Sequence, residues 1–289
     1  MDASIERIDV SVYKVPTDAP ESDGTYAWDS TTMVLVEARA AGKTGLGYTY
    51  ADQAAAALIE SKLSAVAKGQ DAFDIKGVWM AMCRSIRNLG GPGIASMAIA
   101  AVDNALWDLK ARLLDLPLVK LLGQVRPGVP VYGSGGFTSY STERLRDQLA
   151  GWVSRGITRV KMKIGRHPDE DVARVRAASE AIGPDAELFV DANGAYDRKQ
   201  ALAKANAFAD LGVRWFEEPV SSDDLAGLRL LRDRAPAVMD IAAGEYGFDA
   251  FYFRRMLEAE AVDVLQADAT RCRGVTGFLM ADALADAFA

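Results

Sequence analysis

Two lysines stand two residues apart in Val160-Lys161-Met162-Lys163-Ile164, and acids come later at Asp191, Glu217, Glu245 and Asp268. In extended chain alternate side chains share a face, so Val160, Met162 and Ile164 lie on one side and both lysines on the other. The intervals running from Lys163 through the four acids are 28, 26, 28 and 23 residues. Each is the length of one strand–helix unit, which puts these side chains at equivalent positions on consecutive strands. A lone acid at a strand end is more often a helix cap, and a lone pair of lysines more often faces water; a register over five strands is not explained that way. Neighbouring carboxylates repel one another and need a cation. Oxygen-only ligation by Asp191, Glu217 and Glu245 suits a hard ion, which points to Mg²⁺. Those three carboxylates, a divalent ion and two lysines leave one formal positive charge, so the natural guest is an anion. The lysines raise each other's cost of protonation, which is expected to depress Lys163 and free its amine as a base. Asn193, two residues beyond Asp191 on the same face, is a candidate substrate contact and equally a structural amide.

The elements that must carry these residues emerge from apolar periodicity. Short apolar runs at 129–135, 158–164, 186–193, 213–219, 238–245 and 262–268 alternate with helical segments. This rhythm predicts parallel βα units, and six in series favour a (β/α)₈ barrel over an open doubly wound sheet. Ahead of them, 4–16 reads as a strand, 31–50 as a hairpin around Gly42-Lys43, and 51–67, 72–87 and 94–115 as helices. The Asp-, Pro- and Gly-containing stretch Thr17 to Asp29 reads as a mobile loop. Its aromatics Tyr26 and Trp28 either tuck onto apolar surface or form a lid that touches substrate. Asn88 to Gly93 is glycine-rich but lacks a Gly-Lys-Ser/Thr ending and a preceding strand, so it is a helix–helix turn rather than a phosphate loop. The α/β chain therefore divides into an α+β unit over 1–127 and a partial barrel over 128–289.

Composition narrows the partners. Among 289 residues, 33 Lys+Arg against 40 Asp+Glu give a net charge of −7, with no basic stripe for nucleic acid. No apolar stretch approaches the roughly 20 residues that span a bilayer, and no signal-peptide pattern opens the chain. A cytoplasmic protein with no membrane partner is expected. Cys83 and Cys272 are the only cysteines, which excludes a disulfide framework and a thiolate zinc site. The single histidine, His167, precedes Pro168 at a helix start and is expected on the surface. Six units do not close an eight-stranded barrel, so exposed edges on the first and sixth strands are expected to drive association, as a homo-oligomer.

The runs KMKIG, VDANG, WFEEP, AGE and QADATRCRG, in that order, resemble the enolase superfamily, mandelate racemase subgroup, and residues 98–123 are similar to a helix of its capping domain. The resemblance implies a capping domain and then a C-terminally incomplete TIM-type barrel. It implies that Asp191, Glu217 and Glu245 hold Mg²⁺, that Lys163 is the base with Lys161 beside it, and that Asp268 orients a histidine. The implied activity is Mg²⁺-dependent removal of the proton α to a carboxylate through an enediolate, as in an acid-sugar dehydratase or a racemase/epimerase. The implied partner is a small carboxylate, by family a sugar acid. The alternative is a truncated homologue that binds Mg²⁺ or a carboxylate without turnover. A different Mg²⁺ barrel lyase, such as an aldolase, is disfavoured by the capping unit and the lysine pair. Asp268 separates the chain from branches with lysine there. Two departures stand out. Strands 7 and 8, with the partner histidine, are not seen, and Arg273-Gly274 replaces the family's Gly-Gly.

Overall fold

The computed structural model describes residues 3–288. Three antiparallel strands, β1 (Arg7–Ser22), β2 (Ala27–Ala40) and β3 (Lys43–Tyr50), form the first sheet in the order β1-β2-β3. The second hairpin turns on Ala41 and Gly42, with φ of 46° and 74°, the two-residue turn whose twist matches the strands. The first hairpin corrects the expected loop over Thr17–Asp29. β1 runs on to Ser22 and β2 starts at Ala27, with Glu21 opposite Trp28 across a register shift after Pro16. The stretch is ordered despite lacking apolar alternation because contacts to the second half of the chain, among them Thr138 donating to the Ser22 and Asp23 carbonyls, hold it in place.

Helices then cover one face of this sheet. α1 (Ala54–Leu58), a π turn at Ile59–Leu63 and α2 (Ser64–Ala67) come in succession, then α3 (Ile75–Ser85), α4 (Ile94–Leu113) and the short α5 (Leu118–Leu121). Val34, Val36, Ile59, Leu63, Met82, Ile99, Leu106 and Leu109 are the centre of their shared core. Close approach of α4 needs Gly45, where a Cβ would lie 2.3 Å from the Ala105 carbonyl oxygen.

The second sheet is parallel, in the order β4 (Gly133–Gly135), β5 (Arg159–Lys163), β6 (Glu187–Asp191), β7 (Val213–Glu217), β8 (Asp240–Ala243) and β9 (Val264–Leu265). Between and after the strands run α6 (Thr142–Val153), α7 (Pro168–Ile182), α8 (Arg198–Ala209), α9 (Leu225–Arg234), α10 (Ala250–Glu258) and α11 (Gly274–Phe288). This is the expected succession of parallel βα units, with six strands among the described residues. Met162, Val190, Phe216 and Ile241 are register partners across four strands and pack on helix residues such as Leu149, Val175, Phe208 and Leu231. The opposite, concave face carries Lys161, Phe189 and Trp215, the last two stacked at 5.1 Å. The first and last strands are shorter than expected. Val129 and Val131 lie outside β4 and are 73% and 66% exposed. No helix among the described residues is long and apolar enough to cross a membrane.

Candidate active site

Parallel pairing fixes the site. Lys163 is the register partner of Asp191, and Asp191 of Glu217, so three chemically reactive residues end three neighbouring strands. Both lysines enter the concave side, with side chains 4% and 12% exposed, while Val160, Met162 and Ile164 are buried under the helices. Lys161 Nζ donates to both Glu217 oxygens at 2.6 Å and lies 3.4 Å from Asp191 Oδ2. Lys163 Nζ donates to Asp191 Oδ2 at 2.5 Å. Beneath them Tyr132 presents its ring 5.2 Å from Lys161 Nζ, and Trp215 Nε1 donates to Glu217 at 3.1 Å.

The equal register expected for Glu245 and Asp268 does not hold. Glu217 pairs with Ala242, and Ala242 with Val264, so Glu245 lies three residues and Asp268 four residues beyond the register of Glu217. Gly244, at φ 135°, bends the chain there. Glu245 is nonetheless drawn to the cluster, because Asn193 Nδ2 donates to its Oε1 at 3.2 Å while Asn193 N donates to Asp191 Oδ1 at 2.9 Å. Asn193 therefore bridges two of the acids and leaves its own Oδ1 buried without a hydrogen-bond partner. Asp268 is not brought into contact with the cluster. It accepts from Thr270 N at 2.7 Å and pairs with Arg271 at 3.5 Å. His167 is exposed at the start of α7, as expected.

A fourth acid joins the cluster. Glu218 is 1% exposed, has φ 41° and keeps Oε1 without a hydrogen-bond partner. Strict alternation would aim it at the helices, so only the doubled acid in WFEEP hinted at it. Burial, then Glu245, Asp191 and Glu217, push its carboxyl up to about 9. Held protonated, it leaves the expected formal balance of the site unchanged.

The other charges respond to their contacts. Burial pulls Lys161 down, but Asp191 and Glu217 outweigh it and raise the amine. Lys163 departs from expectation. Burial and Lys161 lower it, yet the Asp191 carboxylate in contact with it, helped by Glu245, raises it above the ordinary lysine value. Asp191 would be raised by its burial, but the two lysines hold it at about 2. Burial and the Asp191 charge push Glu217 up to about 7.

The donors fit a hard divalent cation in type and charge: with Glu218 protonated, the three carboxylates Asp191, Glu217 and Glu245 still outnumber the two lysines, and two buried oxygens lack partners. They are not gathered into a cage, however. Among the described residues, no three Asp, Glu, His or Cys side chains are grouped so as to hold a metal ion. The lysine ammoniums occupy the Asp191 and Glu217 oxygens instead, so Asp191, Glu217 and Glu245 are adjacent but not preassembled as a ligand set.

The tip of the first hairpin sits on the same end of the sheet. Gly24 passes so close that a Cβ would lie 2.3 Å from the Ala192 carbonyl and 2.7 Å from that of Ile164, the residues next in chain after Asp191 and Lys163. Thr138 fastens the tip through Ser22 and Asp23. Trp28 donates to Glu21 at 2.8 Å and sets an edge against Phe137 at 5.5 Å, and Tyr26, 68% exposed, stacks on Trp28 at 6.2 Å. The segment is thus a docked hairpin carrying an aromatic pair, Tyr26 exposed and Trp28 half-buried.

Known proteins share this fold. Residues 7–123 match the profile described as mandelate racemase / muconate lactonizing enzyme, N-terminal domain, and residues 144–289 the one described as enolase C-terminal domain-like. The chain is 35% identical over 292 residues to 3,6-anhydro-alpha-L-galactonate cycloisomerase of Streptomyces coelicolor, spanning 98% of this chain and 80% of the relative. Relatives also include L-talarate/galactarate dehydratase of Salmonella typhimurium, 30% identical, spanning 95% of this chain and 72% of the relative. In structure it superposes on a mandelate racemase/muconate lactonizing enzyme-like protein from Rubrobacter xylanophilus with TM-score 0.96 at 57% identity, over 99% and 79% of the two chains. A racemase from S. coelicolor solved with bound magnesium gives TM-score 0.94 at 34% identity, over 98% and 81%.

Proposed function

Since this chain belongs to the mandelate racemase/muconate lactonizing enzyme family of the enolase superfamily, we propose that it removes the proton α to the carboxylate of an acid sugar, with Mg²⁺ as cofactor. The observation that carries this reading is the side-by-side placement of Lys163, Asp191 and Glu217 on adjacent strand ends, with Asn193 tying Glu245 to them. Asp191, Glu217 and Glu245 would hold the cation. When bound, the ion stabilises the negative charge that grows on the substrate carboxylate as the α proton leaves.

Lys163 is the base in this reading. Its proton is held by contact with Asp191, helped by Glu245; were the charges of both acids shared with a cation, burial and Lys161 would remain, and both lower the amine. Lys161, protonated against Glu217, keeps the substrate carboxylate attracted. Tyr26 and Trp28 on the docked hairpin are candidate contacts to the rest of the acid. Dehydration, cycloisomerisation and racemisation share the loss of the α proton and differ in the fate of the enediolate. Relatives named as dehydratases and cycloisomerases support an acid-sugar substrate without choosing among these.

A second reading, binding without turnover, is favoured by the lysine ammoniums that occupy the Asp191 and Glu217 oxygens in place of a gathered ligand set. Incubation with Mg²⁺ and a panel of acid sugars in D₂O, with detection by NMR, decides between them. Solvent deuterium should enter at least one acid, at the α carbon where the enediolate is reprotonated or at the β carbon of the keto-acid product where a β oxygen leaves, and Lys163→Ala should slow its entry by at least about 100-fold, the scale of general-base catalysis. Neither deuterium uptake nor product formation with any acid would leave the binding reading.

A further inference from the structure

Arg273 occupies a backbone conformation that favours glycine, φ 68°, yet its side chain is 13% exposed and fully engaged. Its NH2 donates to Asp249 Oδ2 at 3.2 Å, its Nε to Ser96 Oγ at 3.1 Å, and its NH1 lies 3.6 Å from Cys83 Sγ. Its carbonyl accepts from Trp79 Nε1 at 2.9 Å, and its guanidinium fills the space beside Gly91, where a Cβ would meet NH2 at 2.4 Å. One residue thus touches α3, the turn before α4, the first turn of α4 and the N-terminus of α10.

Asp249 is the informative partner. It is the N-cap of α10, its Oδ1 accepting from Tyr252 N at 3.0 Å, and it closes the short loop that leaves β8 through Gly244 and Glu245. That loop is also held by Gly247 N donating to the Gly244 carbonyl at 2.8 Å and by Asn193 Nδ2 donating to Glu245 Oε1 at 3.2 Å. With one oxygen capping the helix and the other on Arg273, Asp249 fixes the far end of the loop to the first half of the chain. A left-handed non-glycine residue persists where surrounding contacts over-determine it, and contacts of this kind surround Arg273.

We propose that Arg273 is a positioning residue: through Asp249 it clamps the Glu245-bearing loop against α3 and α4 and so sets where Glu245 stands relative to Asp191 and Glu217. The significance of Glu245 rests on its proposed role as a metal ligand; the clamp itself does not. Arg273→Gly is a clean probe, because glycine adopts this φ without strain and the fold should survive. Arg273→Lys keeps a charge but loses the planar fork.

Hydrogen exchange read by mass spectrometry should show the 244–252 amides exchanging at least about tenfold faster in Arg273→Gly and in Asp249→Asn, with partial protection restored in Arg273→Lys and the β5–β7 amides unchanged. Wild-type protection of 244–252 in Arg273→Gly would overturn the clamp. A Mg²⁺ titration monitored by tryptophan fluorescence should show apparent affinity about tenfold weaker in Arg273→Gly than in wild type. Equal affinity in the two proteins would overturn the role in setting Glu245. If wild-type protein itself shows no Mg²⁺ response, the metal-site reading fails and takes that role with it, while the exchange arm still decides the clamp.

Discussion

The two lysines illustrate how much contact, rather than residue type, decides charge. Lys161 is buried with both Glu217 oxygens at 2.6 Å, a pairing in which neither partner is replaceable alone. Truncating one member of a buried pair costs about 3–5 kcal/mol when it strands the other charge, but Lys161 keeps Asp191 at 3.4 Å once Glu217 is gone. Glu217→Ala is therefore expected to lose about 1.5–3 kcal/mol, the scale of hydrogen bonds to a charged group, in urea unfolding without added cation, and a loss below about 1 kcal/mol would contradict the pairing. Alternation along KMKIG was enough to place both lysines inside, and the acids of VDANG and WFEEP opposite them. It could not anticipate Glu218, whose φ of 41° turns it out of the alternating pattern. Nor could it give the direction of Lys163, because lysine–lysine repulsion is visible in spacing while the 2.5 Å contact with Asp191 is not.

Among elements, the joint between α4 and α11 is built on a buried carboxylate. Asp103 of α4 is fully buried and accepts from Thr276 N at 2.9 Å and Thr276 Oγ1 at 2.7 Å, while Trp107 Nε1 donates to the same hydroxyl at 2.9 Å. Burial pushes the Asp103 carboxyl up to about 7 despite these donors. The folded chain then binds that proton more tightly than the unfolded chain, so the contribution is full below about pH 4 and lost as pH rises through about 7. It is worth at most about 4 kcal/mol over that window. Asp103→Asn should flatten the fall, measured as the urea-midpoint difference between variant and wild type from pH 4 to 8; parallel curves would refute the assignment. The first hairpin teaches the complementary lesson. Thr17–Asp29 reads as loop because its residues lack period-two patterning, and Thr138 and the Gly24 contact supply what local sequence does not.

At the scale of the whole molecule, the two large hydrophobic cores among the described residues are joined by polar contacts that cross between the two halves of the chain. Thr49 donates to the Thr270 carbonyl at 2.7 Å, Asn104 to that of Ala269 at 3.2 Å, and Trp79 to that of Arg273 at 2.9 Å. A cation gathered by Asp191, Glu217 and Glu245 would add β6, β7 and the loop after β8 to this framework and stabilise the folded state by mass action. At 100 times the dissociation constant the gain is about 2.7 kcal/mol. Mg²⁺ should accordingly raise the thermal midpoint beyond a potassium control of equal ionic strength, and Asp191→Asn should cancel the rise. An equal response to both salts would speak against a specific site.

Residue order alone determined the strand–helix rhythm, the concave placement of Lys161 and Lys163, and the neighbourhood of Asp191 and Glu217, because period-two alternation and unit length are local properties. Tertiary structure alone decided which oxygens the ammoniums occupy, that Glu218 joins the acids, that Asp268 turns to Arg271, and that Arg273 reaches Asp249. Each of these depends on distances between side chains that the fold brings together, and such distances are set by packing, which no local pattern encodes.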